Sequence, residues 1–285
     1  MEEKTLKRSE NHINRDDYKR LFELHKVYKW LENEPEALFE LWCMCDSEEQ
    51  KKLIEMLIPN FLHLTSTDLL KIGKEISNHI ENNWNLTANN TFLVATCDDE
   101  KPDGSQAFIQ SLKNKFSSSW KEYNFYNSLL DGAHKIENNS IIILVDDFIG
   151  TGDTITKKVT YLKNKMSERK IENYSIKVIS LAAMEFSKEA LDKLVIEYFS
   201  YYWLKKGISE LVPPQYKTVS LQSMEELEDK LLKKYGKRRL PKFGYKESET
   251  LFALESQNIP NNVFPIFWWP YLNDKSERTT FFKRI

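Results

Sequence analysis

The sequence predicts an α/β protein: a mainly parallel sheet preceded by a helical region. Three observations carry this. Ile141-Ile142-Ile143-Leu144-Val145 is an unbroken, largely β-branched run, as expected of a strand that a parallel sheet buries on both faces. Around it, short apolar runs alternate with stretches of helical spacing, the order that crossover connections require. Residues 15–84, by contrast, carry their apolar side chains at helical spacing throughout.

The elements follow in order. Residues 1–14 are polar and expected to fray. Leu21, Phe22, His25 and Tyr28 mark a first helix, and Leu38, Leu41, Trp42 and Cys45 a second. Leu53, Ile54, Leu57, Ile58 and Phe61 mark a third, and Leu69, Ile72, Ile76, Ile80 and Trp84 a fourth. Pro59 separates these last two, and Thr65-Ser66-Thr67-Asp68 suits the cap of the fourth. The Asn-rich link at 85–90 is too short for an independent linker. Residues 1–88 therefore read as a helical region docked on a core built from 89–285. Thr91 to Thr96 is a short buried strand that runs into an acidic, Gly-containing loop, 97–104. A helix is expected from near Ser105, with Phe108, Leu112 and Phe116 on one face, and a second over roughly 120–130. Beyond the strand 141–145 come a helix over 154–166, an apolar run at 176–183, a helix over 187–194 and a strand over 195–203. A polar helix over 222–235 and a Trp- and Pro-rich end, about 240–285, complete the chain.

Composition excludes several classes. Lys and Arg number 41 against 43 Asp and Glu, a formal charge of −2, so no global basic field is available for nucleic acid, although a local patch is. No apolar run approaches the ~20 residues that cross a bilayer. Met1-Glu2-Glu3-Lys4 begins no secretory signal, so a cytoplasmic protein without membrane contact is expected. Cys43, Cys45 and Cys97 fit neither zinc spacing nor a disulfide framework and read as buried or reduced thiols. The five histidines show no metal spacing.

The chemistry concentrates after the strand 141–145. Asp146 and Asp147 stand at its carboxyl end, followed by Phe148-Ile149 and then Gly150-Thr151-Gly152-Asp153-Thr154 at a helix start. In open α/β sheets ligands bind beyond the carboxyl ends of strands. A Gly/Thr loop entering a helix offers backbone N–H groups, hydroxyls and the positive end of the helix dipole, which suit a phosphate dianion. Adjacent carboxylates accept hydrogen bonds from vicinal sugar hydroxyls. The loop thus reads as a sugar-phosphate site, with Asp146 and Asp147 on the ribose and Thr151, Gly152, Asp153 and Thr154 on the 5′-phosphate. A Walker-B-like strand end is the competing reading, but no Gly-x4-Gly-Lys-Ser/Thr cradle occurs in the chain.

This segment resembles the PRPP-binding signature of type I phosphoribosyltransferases: two hydrophobics, Asp-Asp, three variable residues, then Thr/Ser-Gly-x-Thr. The signature demands a strand before it and a helix after it, and both are expected here. Asp153 stands in a slot that is often Gly, so its charge opposes phosphate unless the side chain turns outward. The resemblance implies a fold of the type I phosphoribosyltransferase type, with an amino-terminal helical cap and a carboxyl-terminal hood. It also implies that the earlier loop holds pyrophosphate: Asp103, Gly104 and Ser105 through backbone N–H groups at a helix start, and Lys101 by charge. Lys101 reads equally well as an exposed loop lysine, and Asp98, Asp99 and Glu100 as solvated charges.

The end of the chain, Gly244-Tyr245 followed by Asn258-Ile259-Pro260-Asn261-Asn262-Val263-Phe264-Pro265-Ile266-Phe267-Trp268-Trp269-Pro270, extends the likeness. Together with Asp-Asp-Phe-Ile-Gly-Thr-Gly it resembles the divergent phosphoribosyltransferase-like branch found in bacterial conflict systems, including retron-linked effectors. Amides read the edges of a base and aromatic faces stack on it, so Asn261, Asn262, Phe264, Trp268 and Trp269 are candidates for a hood over the acceptor. Core packing against the helical cap is an equal alternative for the aromatics. Lys233-Lys234-Tyr235-Gly236-Lys237-Arg238-Arg239 is the one basic cluster, read first as a solvated surface and second as a nucleic-acid contact.

The resemblance implies PRPP or a phosphoribosyl nucleotide as ligand, with Mg2+ arriving on the diphosphate rather than in a protein cage. It implies a Mg-dependent transferase or N-glycosidic exchange enzyme acting as a defence effector, with a non-catalytic nucleotide-binding regulator as the alternative. A homodimer is expected from it, and a regulatory partner such as a reverse transcriptase with its nucleic acid.

Overall fold

The computed structural model describes residues 13–97 and 104–284. The amino-terminal part holds α1 (Arg15–Val27), α2 (Pro35–Cys43) and α3 (Glu48–Leu57), then β1 (Leu62–Leu64) and α4 (Ser66–Asn78). α1, α3 and α4 start where the sequence supplies a side-chain partner for the free first-turn N–H groups, and α2 starts on Pro35. Asn14 caps α1 and Ser47 caps α3. Thr65 and Asp68 form a reciprocal capping box on α4, as their spacing predicts. Phe22, expected on the apolar face of the first helix, is exposed, whereas Leu21 and Leu24 are buried.

The sheet region comprises β2 (Thr91–Ala95), α5 (Gly104–Leu112), β3 (Phe125–Tyr126), α6 (Leu129–Lys135) and β4 (Ser140–Ile149). It continues with α7 (Asp153–Glu168), β5 (Tyr174–Met184), α8 (Lys188–Asp192) and β6 (Glu197–Leu204). Five strands pair in the order β3-β2-β4-β5-β6, all parallel. The mixed α/β architecture and mainly parallel sheet of a phosphoribosyltransferase-type fold are therefore present. One face is covered by α4 and α5, whose Ile72, Ile76, Phe108, Ile109 and Leu112 pack on Leu93, Ile143, Val145 and Ile179. The other is covered by α6, α7 and α8, whose Leu129, Ile155, Val159, Leu162 and Leu191 meet Val94, Ile142, Leu144 and Val178. Burial on both faces explains why β4 reads as a continuous apolar run.

Three elements differ from the sequence expectation. The helix expected over 120–130 is replaced by a turn, β3 and then α6. The buried Asn124 amide donates to the Ala88 and Thr91 carbonyls at 2.7 and 2.9 Å, which fixes this stretch as a sheet edge. The polar helix lies earlier than expected, as α9 (Pro214–Asp229), because Pro214 sets its first turn. Leu231 and Leu232 instead pair with Leu272 and Tyr271. Finally, β4 does not stop at Val145: it continues through Asp146 and Asp147 to Ile149, paired with β5 as far as Ala183.

A small hairpin, β7 (Lys234–Tyr235) and β8 (Arg238–Arg239), follows α9, and β9 (Phe252–Leu254) pairs in parallel with β1. The carboxyl-terminal segment thus returns to the helical region. Leu38, Leu41, Leu53 and Leu57 share one core with Met224, Leu227, Phe264, Phe267 and Trp269. No helix of the described residues is long and apolar enough to cross a membrane.

Candidate functional site

Chain order and strand order together locate the site. From β2 the chain goes to β3 on one side, then crosses to β4 on the other, so the direction of winding reverses between β2 and β4. Crevices form beyond the carboxyl ends of strands at such reversals. β2 ends at Ala95, opposite Val145, while β4 runs on, so Asp146 to Ile149 project past their neighbour.

A cavity of about 360 Å3 opens there. Its walls are Asp146, the loop 148–154, Ile155 and Lys157 from the start of α7, and Tyr245, Asn261 and Asn262 from the carboxyl-terminal segment. The predicted residues Asp146, Thr151, Gly152, Asp153, Thr154, Asn261 and Asn262 therefore come together around one space, although Asn261 and Thr151 are 110 residues apart in sequence. Asp146 is buried, with 8% of its surface exposed at the cavity wall.

The geometry of the loop suits an anion. Gly152 sits at φ +81°, in the left-handed region, and a Cβ there would lie 2.8 Å from that of Ala190. Thr156 N–H donates to the Gly152 carbonyl at 2.9 Å and opens the helical ladder. The preceding N–H groups stand at the positive end of a sixteen-residue helix. Gly150 lets the hood approach: a Cβ on it would collide with the Asn262 side chain. Asn262 is held from behind. Its Nδ2 donates to Ser248 Oγ at 3.1 Å, and its carbonyl accepts from Ser248 Oγ at 2.9 Å and Thr250 N–H at 3.2 Å.

Asp153 does not leave its charge bare over this loop. Lys246 Nζ donates to its carboxylate at 2.5 Å, and this bond, ahead of that from Thr151, holds the Asp153 carboxyl below its usual range. Nothing in the sequence links Lys246 to Asp153, 93 residues away. Among the wall residues, Tyr245 and Lys157 carry polar groups that motif reading did not single out as ligand contacts. The Gly244-Tyr245 pair at the start of the carboxyl-terminal motif was the available signal for Tyr245.

The second carboxylate lies elsewhere. Adjacent strand residues point to opposite faces, and the half-buried Asp147 sits against Gly104 at the start of α5, where a Cβ would overlap its carboxylate. Ser105 is buried, and its Oγ accepts from Cys97 N–H at 3.1 Å. Gly104 and Ser105 thus flank Asp147, whereas Lys101 and Asp103 lie outside the described residues, as do Asp98, Asp99 and Glu100. Phe264 is fully buried and packs with Phe243 and the cap core, so its ring does not reach the cavity. Trp268 and Trp269 are almost as buried. They line a neighbouring groove, with Trp268 Nε1 donating to the Val263 carbonyl at 2.9 Å. Among the described residues no group of three or more His, Cys, Asp and Glu is placed to hold a metal.

A search of curated proteins finds no match. Among solved structures, a hypothetical protein from Neisseria gonorrhoeae with bound ppGpp is similar over 56% of this chain and 96% of its own, at 10% identity and a TM-score of 0.35. The family model PRTase-CE matches residues 27–284, which takes in the helical region after α1, the sheet, the loop after β4 and the hood. The chain belongs to the PRTase-CE family.

Proposed function

We propose that the cavity binds a 5-phosphoribosyl group, with Mg2+·PRPP as the donor in a phosphoribosyl transfer. The single observation behind this reading is the convergence of Asp146, the 150–154 loop at the start of α7, and the two hood amides on one space. The loop's N–H groups and the Thr151 and Thr154 hydroxyls take the 5′-phosphate. Asp146 accepts from a ribose hydroxyl and, when the anomeric carbon becomes cationic, its negative charge favours that state. Asp147, beside the loop that returns at Gly104, stands on the side assigned to the diphosphate and its Mg2+, whose preference is for hard oxygen donors.

In the transfer, a bond forms between C1′ and a nitrogen of the acceptor as the C1′–O bond to diphosphate breaks. Pyrophosphate leaves with that electron pair, and the acceptor's N–H proton passes to solvent. Asn261 and Asn262 present donor and acceptor atoms to a base edge, and Tyr245 offers a ring. The experiment incubates the protein with PRPP, Mg2+ and a panel of bases and nucleotides and measures pyrophosphate release. Release with one acceptor class, lost in Asp146→Asn, supports the transferase. PRPP binding without release by any acceptor gives the regulator reading instead.

The likeness to conflict-system proteins extends the proposal to a defence effector restrained by a partner. Expression of the wild-type chain is then expected to arrest bacterial growth, and the variant Asp146→Asn, Asp147→Asn to relieve it. Equal arrest by both would contradict an effector role for this site.

A further inference from the structure

Tyr245 and Asn261 belong to two spaces at once. On one side they wall the ribosyl cavity; on the other they line a groove of about 580 Å3 that runs beneath the β7–β8 hairpin. The groove is basic. Arg238, Arg239, Lys242, Lys246 and Arg284 border it, against the single acid Glu247. Two of these cations are spoken for: Lys242 pairs with Asp229 at 2.7 Å, and Lys246 with Asp153. The three arginines have no carboxylate within 4.0 Å among the described residues. Arg238 Nη1 donates instead to the Arg284 backbone carbonyl at 3.0 Å, and Arg284 Nη1 to that of Ile259 at 2.5 Å. The two side chains are thus fixed as neighbours of like charge, an arrangement that an anion relieves.

Lys233, Lys234 and Lys237 continue the positive surface along the exposed hairpin. Beside them Tyr235 stacks on Tyr271, with ring centroids 3.6 Å apart, and Tyr235 remains half exposed. A single phosphate needs one or two cations. A row of arginines and lysines with aromatic rings set among them is the pattern that tracks a sugar-phosphate backbone and stacks its bases. The row leads to Asn261 and Tyr245, at the rim of the cavity.

We propose that this groove binds a single-stranded nucleic acid, its phosphates on Arg238, Arg239 and Arg284, so that one nucleotide is presented at Asn261 and Tyr245. As a statement about the acceptor it rests on the phosphoribosyl reading of the cavity; as a statement about binding it stands alone. The test measures fluorescence anisotropy of labelled RNA and DNA single strands of roughly 12 nucleotides, a length in the range one such surface covers. The duplex of the same sequence and AMP serve as competitors, and Mg2+·PRPP is titrated separately by calorimetry.

The expected result is strand binding that weakens steeply with salt. In Arg238→Gln, Arg239→Gln it falls at least about tenfold with a shallower salt slope, because two phosphate contacts are gone. Arg239→Gln alone, on the exposed hairpin, gives an intermediate loss and guards against misfolding of the double variant. Absence of strand binding, equal affinity in the glutamine variants, or displacement of the strand by equimolar AMP would overturn the proposal. PRPP binding is read in its own titration, so its failure would sink the cavity reading without being mistaken for failure of the groove.

Discussion

Lys246 is the residue on which the proposed phosphate seat depends electrostatically. Its bond to Asp153 neutralises a carboxylate that stands at the first position of α7, beside the N–H groups that would meet phosphate. Lys246→Ala is predicted to weaken PRPP binding about threefold, the scale of an exposed ion pair. Adding Asp153→Ala should restore affinity, because the uncompensated charge is then gone as well. Calorimetry on the two single variants and the double variant gives this coupling directly; additive losses would contradict it. Gly150 makes a sharper case. A methyl group there meets the Asn262 side chain, so Gly150→Ala is expected to displace the amide and raise the KM for the acceptor base about tenfold, the effect of losing a hydrogen bond to a polar partner, with a smaller change in PRPP affinity. The melting temperature should change little by comparison.

At the scale of elements, α9 is fastened to the hood loop by one buried acid. Glu228 is fully buried, its Oε2 accepts from Phe243 N–H at 2.8 Å, and its Oε1 finds no partner among the described residues. Burial pushes its carboxyl up to about 8. The folded chain therefore keeps this proton over a range, from its ordinary value of 4.5 to about 8, where the unfolded chain has released it. Stability from this group is complete below 4.5 and is lost as pH rises through that window. Thermal melts of the wild type should fall between pH 5 and pH 8, and Glu228→Gln, which keeps an acceptor for Phe243, should flatten that fall. Parallel curves for the two proteins would contradict the assignment.

The same elements show what a sequence conveys and what it withholds. β4 and the loop after it are legible because their determinants are local: a run of β-branched residues, two acids, and glycines at turns with set spacing. α9 lies earlier than the expected 222–235 because Pro214 opens it, and Leu231 and Leu232, inside the expected span, pair their backbone with residues 271 and 272. The stretch 120–130 reads as helical by periodicity but is held as a sheet edge by Asn124, through carbonyls more than thirty residues away. The hood divided along the same line. Its asparagines reach the cavity, and Phe264 goes to the core, because a motif read in one dimension carries no record of which face each residue turns.

At the scale of the whole molecule, the helical region and the sheet are joined by the carboxyl-terminal segment. It pairs β9 with β1, stacks Phe252 on Phe148 from β4 with centroids 5.0 Å apart, and fills the core under α2 and α3 with Phe264 and Phe267. A single unfolding transition is expected from calorimetric melting. Phe267→Ala, which removes a fully buried ring, should lower its midpoint through a loss of about 3–5 kcal/mol. Two separate transitions would contradict a shared core. This joint also places Tyr245, Asn261 and Asn262 opposite the α7 start, so the cavity exists only when the carboxyl-terminal segment is docked on the sheet.

The most direct measurement is a crystal structure of the protein soaked with Mg2+·PRPP. The 5′-phosphate is expected within hydrogen-bonding distance of the 151–154 backbone N–H groups, with a ribose hydroxyl on Asp146. Density for the ligand at any other place, or a 150–154 loop that stays empty at saturating PRPP, would contradict that expectation.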